Sequence, residues 1–172
     1  MEEINEVLKR ASDLRVAKRF EEALRLLKSV LQQDENEWKV CTELGHLCID
    51  KGEYKKATTM FERAVILKPD MAGLWSNLGY AKKTNGDLDG AIHDTRKAKS
   101  LAKDSFELHG AMYNLSCYLA LSGKTESAME YLAKACKGEP SLKEWARTDS
   151  DLASLRSDPR FDEILEYSPE ST

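Results

Sequence analysis

Cysteine, histidine and asparagine are among the residue types able to ligate a metal, attack a substrate or read a peptide backbone, and their spacing in this chain decides among those chemistries. Cysteines stand at 41, 48, 117 and 136, and histidines at 46, 93 and 109. Cys41, His46 and Cys48 are near enough in sequence to suggest a soft metal site. A helix, however, puts the two cysteines, seven apart, on one face and His46 on another. Cys117 follows Tyr113 and Asn114 but has no histidine partner to activate it, so its thiol reads as a packing group. No Cys-x-x-Cys, Gly-x-Ser-x-Gly, His-Glu-x-x-His or phosphate-binding loop occurs. No catalytic centre, metal or cofactor is therefore expected.

Asn77 and Asn114 carry a different chemistry. A carboxamide offers both an acceptor and donors, the complement of a peptide's N–H and C=O, so asparagines aligned on neighbouring helices form rungs for an extended chain. Such alignment needs a repeating scaffold, and the sequence has one. Ala11, Gly45, Gly79 and Ser116 form one series, and Ala23, Ala57, Ala91 and Ala128 a second. Lys18, Gly52, Gly86 and Gly123 form a third, and Val30, Ala64, Ala98 and Ala135 a fourth. All four share steps of 34, 34 and 37 residues. A period of this length means stacked units without one central core.

Residues 38–71 show how a unit folds. Cys41, Leu44, Leu47 and Cys48 recur at helical spacing, Asp50 to Glu53 breaks the pattern, and Tyr54, Ala57, Phe61, Ala64, Val65 and Leu67 form the stripe of a second helix before Pro69. Gly45 and Ala57 meet where the two helices cross, a close approach that tolerates almost no side chain. Units are expected at 1–37, 38–71, 72–105 and 106–142. Asp104 with Glu107 reads as a capping box that starts the fourth unit's first helix nearly a turn early. Leu152, Leu155, Phe161, Ile164 and Leu165, with Asp151 and Asp158 as N-caps and Pro159 as a first helical residue, predict capping helices over 143–166. A flexible tail is expected at 167–172.

These residues resemble the tetratricopeptide repeat. The third unit supplies Trp75-x-x-Leu78-Gly79 with Gly86, Ala91 and Ala98, and the second supplies Leu44-Gly45, Gly52, Tyr54, Ala57, Phe61, Ala64 and Pro69. The resemblance covers residues 4–142, and the Asp-x-Asp-Leu and Asp-Pro-Arg-Phe elements of the cap resemble the ending of other such proteins. It departs from the pattern at Lys82, where the family usually has an aromatic, at Thr95, where a large apolar residue is usual, and at Lys18 in place of a turn glycine. It implies an all-α, right-handed superhelical solenoid of antiparallel helix pairs with a C-terminal helical cap, working in protein-protein interaction.

The same resemblance implies an inner wall built from the first helix of each pair. That wall would present Lys9, Ser12 and Arg15 from the first unit and Lys39, Thr42 and His46 from the second. Asn77, Tyr80 and Lys83 follow from the third, then Tyr113, Asn114 and Cys117 from the fourth. Lys9 and Glu43 occupy the asparagine position in the first two units, so a backbone ladder has two rungs, with Tyr80 and Tyr113 flanking the bound side chains. The carboxylate clamp that some members use on chaperone tails does not carry over. Its five positions hold Thr42, His46, Asn77, Gly110 and Asn114, of which one matches.

Charge narrows the partner class. Through residue 142 the chain has 22 Lys and Arg against 22 Asp and Glu, whereas 143–172 has 4 against 8. A neutral body without a basic stripe argues against nucleic acid, and no apolar run suits a bilayer. The acidic opening and reduced cysteines predict a cytoplasmic protein. The expected function is a non-catalytic adaptor that holds an extended peptide or partner helix in a concave groove. The alternatives are a self-associating structural protein, burying Trp38 or Val7 and Leu8 against a second copy, and a regulatory subunit of an enzyme complex. The acidic C-terminal segment is itself a candidate to occupy the groove.

Overall fold

Small residues at fixed intervals produce paired helices in the computed structural model, which describes residues 2–34 and 36–166. The tail expected at 167–172 lies outside the described residues. Four hairpins follow one another: α1 (Glu2–Val16) with α2 (Phe20–Leu31), α3 (Trp38–Asp50) with α4 (Tyr54–Leu67), α5 (Ala72–Thr84) with α6 (Leu88–Leu101), and α7 (Ser105–Leu121) with α8 (Thr125–Gly138). Three hairpin turns place a glycine in the left-handed region, Gly52 at φ 72°, Gly86 at 87° and Gly123 at 75°. There the chain closes each first helix with a bond reaching five residues back, as from the Glu53 N–H to the Cys48 carbonyl at 2.8 Å. Lys18 takes the equivalent place with φ 58°, so the first turn keeps the geometry without the residue suited to it.

At each crossing the small series does what its spacing implies. Ala23, Ala57, Ala91 and Ala128 are fully buried, and the Phe61 ring lies directly against the Gly45 backbone. In the third unit Thr95 replaces that ring. Its hydroxyl donates to the Ala91 carbonyl at 2.8 Å, which satisfies a buried polar group within its own helix. Lys82 is likewise answered locally, since its Nζ lies 2.7 Å from Oδ2 of buried Asp94 on α6.

Hairpins contact mainly their sequence neighbours, and the contacts are uneven. α1 reaches α3 and α5 reaches α7, although α3 and α5 are farther apart, whereas no two neighbouring second helices share a comparable contact. The second helices therefore splay and the first helices line the inner side. α7 is the longest first helix, and the Asp104–Glu107 pairing explains it: Asp104 Oδ1 accepts the Glu107 N–H at 2.8 Å, and the Glu107 carboxylate accepts the Lys103 N–H at 2.9 Å.

After α8 come α9 (Leu142–Thr148), a 3-10 turn (Ser150–Leu155) and α10 (Pro159–Glu166). Leu142, Ala146, Leu152, Leu155, Phe161 and Leu165 are buried in one cluster with Leu119, Leu132 and Cys136. These side chains cover the apolar end of the stack. Asp158 accepts the Arg160 N–H at 3.0 Å ahead of Pro159, as expected. The other cap differs from expectation. Asp149, not Asp151, starts the 3-10 turn by accepting the Asp151 N–H at 2.9 Å, because α9 ends at Thr148 and leaves Asp149 extended.

Candidate functional site

The inner wall is the surface to which the sequence assigned partner-binding residues, and the structure sorts them into three groups. Toward the first units they are tied to one another. Arg15 of α1 pairs with Asp50 of α3 at 2.7 Å and stands 3.8 Å from Glu43. Lys39 donates to Asn5 at 3.1 Å. His46 stands 3.6 Å from Glu43 and packs edge-on against Phe61 at 5.3 Å between ring centres. The Thr42 hydroxyl donates to the Trp38 carbonyl at 2.9 Å. Lys9 is exposed and Ser12 half-buried.

In the middle the wall is open. Asn77 of α5 and Asn114 of α7 are both half-buried, and among the described residues neither carboxamide has a hydrogen-bond partner. Tyr80 is 43% exposed, with Lys83 Nζ 5.3 Å from its ring centre. Two unspent amides and an accessible aromatic face on adjoining helices suit a peptide backbone and its side chains.

At the far end the cap enters the wall. The Tyr113 hydroxyl donates to Asp149 Oδ2 at 2.9 Å, the Cys117 thiol approaches the same oxygen at 3.6 Å, and Lys83 pairs with Asp151 at 2.8 Å. Tyr113 and Cys117 are buried and so present little surface to a partner. This corrects their expected place among the groove-lining residues, although Cys117 packs as its lack of a histidine partner implies, and the reason is physical: the cap lays a further layer on α7. Burial, with the Asp149 carboxylate adding to it, pushes the Cys117 thiol far above its ordinary range. A thiol held protonated is a poor nucleophile or ligand. A hollow of about 240 Å³ remains where Tyr80, Lys83 and Asn114 face Asp149 to Asp151. The acidic segment thus does reach the inner wall, through Asp149 and Asp151, whose contacts with α5 and α7 the sequence reading missed.

Comparison with known proteins fits this geometry. Models of the tetratricopeptide repeat match residues 14–78, 72–105 and 109–141. The chain belongs to the tetratricopeptide repeat family. Among solved structures, MamA superposes with a TM-score of 0.74 at 23% identity, over 91% of this chain and 89% of that one. YrrB, described as a tetratricopeptide protein with an unusual peptide-binding site, gives 0.70 at 20% identity over 92% and 81%. An O-GlcNAc transferase of Thermobaculum terrenum gives 0.69 at 24%, with this chain spanning 26% of its length. At these identities the likeness is one of fold. No curated protein sequence matches.

Repeats of this family build protein-protein interaction scaffolds, and the stacked hairpins have that architecture. Among the described residues, no group of three histidine, cysteine, aspartate or glutamate side chains is placed to hold a metal ion. No helix there is long and apolar enough to cross a membrane.

Proposed function

We propose that this tetratricopeptide repeat protein is a non-catalytic adaptor that holds an extended segment of another protein along its inner wall. The observation that carries the reading is the pair of unpartnered carboxamides, Asn77 and Asn114, on adjoining inner helices beside exposed Tyr80. They pair with the bound backbone, Tyr80 and Lys83 contact its side chains, and Lys9 and Ser12 extend the surface toward the first unit. Asp149 and Asp151 bound the trough at its other end.

The test is affinity capture comparing the intact protein with Asn77→Ala/Asn114→Ala, checked by circular dichroism to be folded. Loss of a partner retained by the unaltered protein is the expected result. Equal recovery of every partner removes this surface from consideration.

One observation favours the second reading, self-association. In the first hairpin Ile4, Val7, Leu14 and Leu26 are only partly covered. Light scattering across concentration separates the two, because a stable monomer leaves the adaptor reading alone.

A further inference from the structure

The outer wall has an opening of its own. Between the splayed α2 and α4 lies a cleft of about 390 Å³, floored by Leu24, Leu44, Leu47, Cys48 and Met60. Lys28, Lys51 and Lys56 stand around it, with Glu53 the one acidic residue of the lining.

The same place in the later units is closed. Along the repeat, Cys48 and Met60 correspond to Lys82 and Asp94, which are bridged at 2.7 Å. One unit further they correspond to Leu119 and Tyr131, where Leu119 is fully buried and Tyr131 packs on the core. The surrounding charges change in parallel, since Lys28, Lys51 and Lys56 correspond to Glu62, Asn85 and Gly90 in the next unit. An open apolar floor and a basic surround therefore coincide between the first two units, although stacking requires neither. The lysines also outnumber their partners. Lys51 contacts Glu21 at 3.1 Å and Glu53 at 3.4 Å, while Lys56 contacts Glu53 at 2.8 Å. Lys28 has no partner among the described residues.

We infer that this cleft binds a small apolar molecule carrying one carboxylate. Its apolar chain lies on Leu44, Leu47 and Met60, and its head sits among the three ammonium groups. The volume falls within the range of small-molecule sites, which combine apolar walls with a few charged groups that fix orientation. Apolar burial supplies the attraction, and the lysines select an anion over a neutral molecule of the same length.

Calorimetric titration of the full chain with decanoate and with decanol tests this. Decanoate is expected to bind at one saturable site, and decanol about tenfold more weakly. Lys28→Glu/Lys56→Glu should bring decanoate down to the level of decanol while leaving decanol unchanged. Cys48→Leu/Met60→Tyr, patterned on Leu119 and Tyr131, fills the cleft and should abolish binding of both in a protein that remains folded. Cys48 gives a second readout. It is the one cysteine of the four that is not buried, and bound decanoate should slow its alkylation. Absence of decanoate binding, equal affinity for decanol, or binding that survives the filled cleft overturns the inference. None of these outcomes bears on the inner wall, which lies on the opposite side of the helix pairs.

Discussion

Replacing Gly45 with alanine tests whether helix crossings, rather than helix propensity, hold the small residues in place. A Cβ on Gly45 would stand 2.6 Å from Cε1 and Cζ of Phe61 and 2.9 Å from Cδ1, about 1 Å inside ordinary carbon contact. The ring cannot step aside, because Phe61 is 1% exposed and the His46 ring packs against it. Overpacking of this kind costs about 1 to 3 kcal/mol, and alanine's better helix propensity returns about 1 kcal/mol. The expected net loss is at most about 2 kcal/mol, or a few degrees in Tm, so the change brings none of the gain that propensity alone would give. Gly110 is the control. It lies within α7 with nothing within 4 Å of the added atom, so Gly110→Ala should gain about 0.5 to 1 kcal/mol. Urea unfolding followed by circular dichroism measures both. Gly45→Ala/Phe61→Leu should lose less than the two single changes combined, because the smaller side chain removes the clash. A Gly45→Ala protein as stable as Gly110→Ala, or strict additivity with Phe61→Leu, would refute the reasoning.

Lys82→Met should destabilise by roughly 2 to 4 kcal/mol, because it leaves Asp94 buried without its cation; Lys82→Leu/Asp94→Tyr, copying the fourth unit, should recover most of that loss in the same unfolding assay. Acid should loosen the cap. Arg160 holds the Glu126 and Asp158 carboxylates below their ordinary range, chiefly through its side-chain hydrogen bonds, and groups depressed in the folded state contribute stability above their unfolded pKa that is lost as pH falls. Protection of the α10 amides, taken relative to their intrinsic exchange rates, should therefore fall from about pH 5 downward, while protection in α5 changes less. Thiol reagents at mildly alkaline pH should modify Cys48 before the others, since burial raises all four thiols but Cys48 alone is not buried, while the Cys136 thiol is pushed up to about 11 and the Cys117 thiol higher still; mass spectrometry of partly labelled protein gives the order.

The hairpins were legible because a crossing constrains one residue type at one spacing, and Gly45, Ala57, Gly79 and Ala91 announce that constraint along the chain. The inner wall was legible only in part. Asn77 and Asn114 fall where the repeat puts them, but Tyr113 and Cys117 meet Asp149, more than thirty residues away, through a turn with no repeat to align it. Lys83 and Asp151 are further apart still. Lys82 looked like a flaw in the third unit when read alone. A usable signal was present in Asp94, a second departure twelve residues later at a place where the neighbouring units carry Met60 and Tyr131. Two polar departures of opposite sign within one hairpin mark an ion pair.

Lys18 leaves the stack with a weak seam. A lysine held at φ 58° costs about 1 to 2 kcal/mol that glycine avoids, and it sits in a hairpin whose Ile4, Val7, Leu14 and Leu26 are only partly covered. In a filament of layers each braced by the next, melting begins where bracing is least. Opening should start at the first hairpin, so a protease cuts there before it reaches α8.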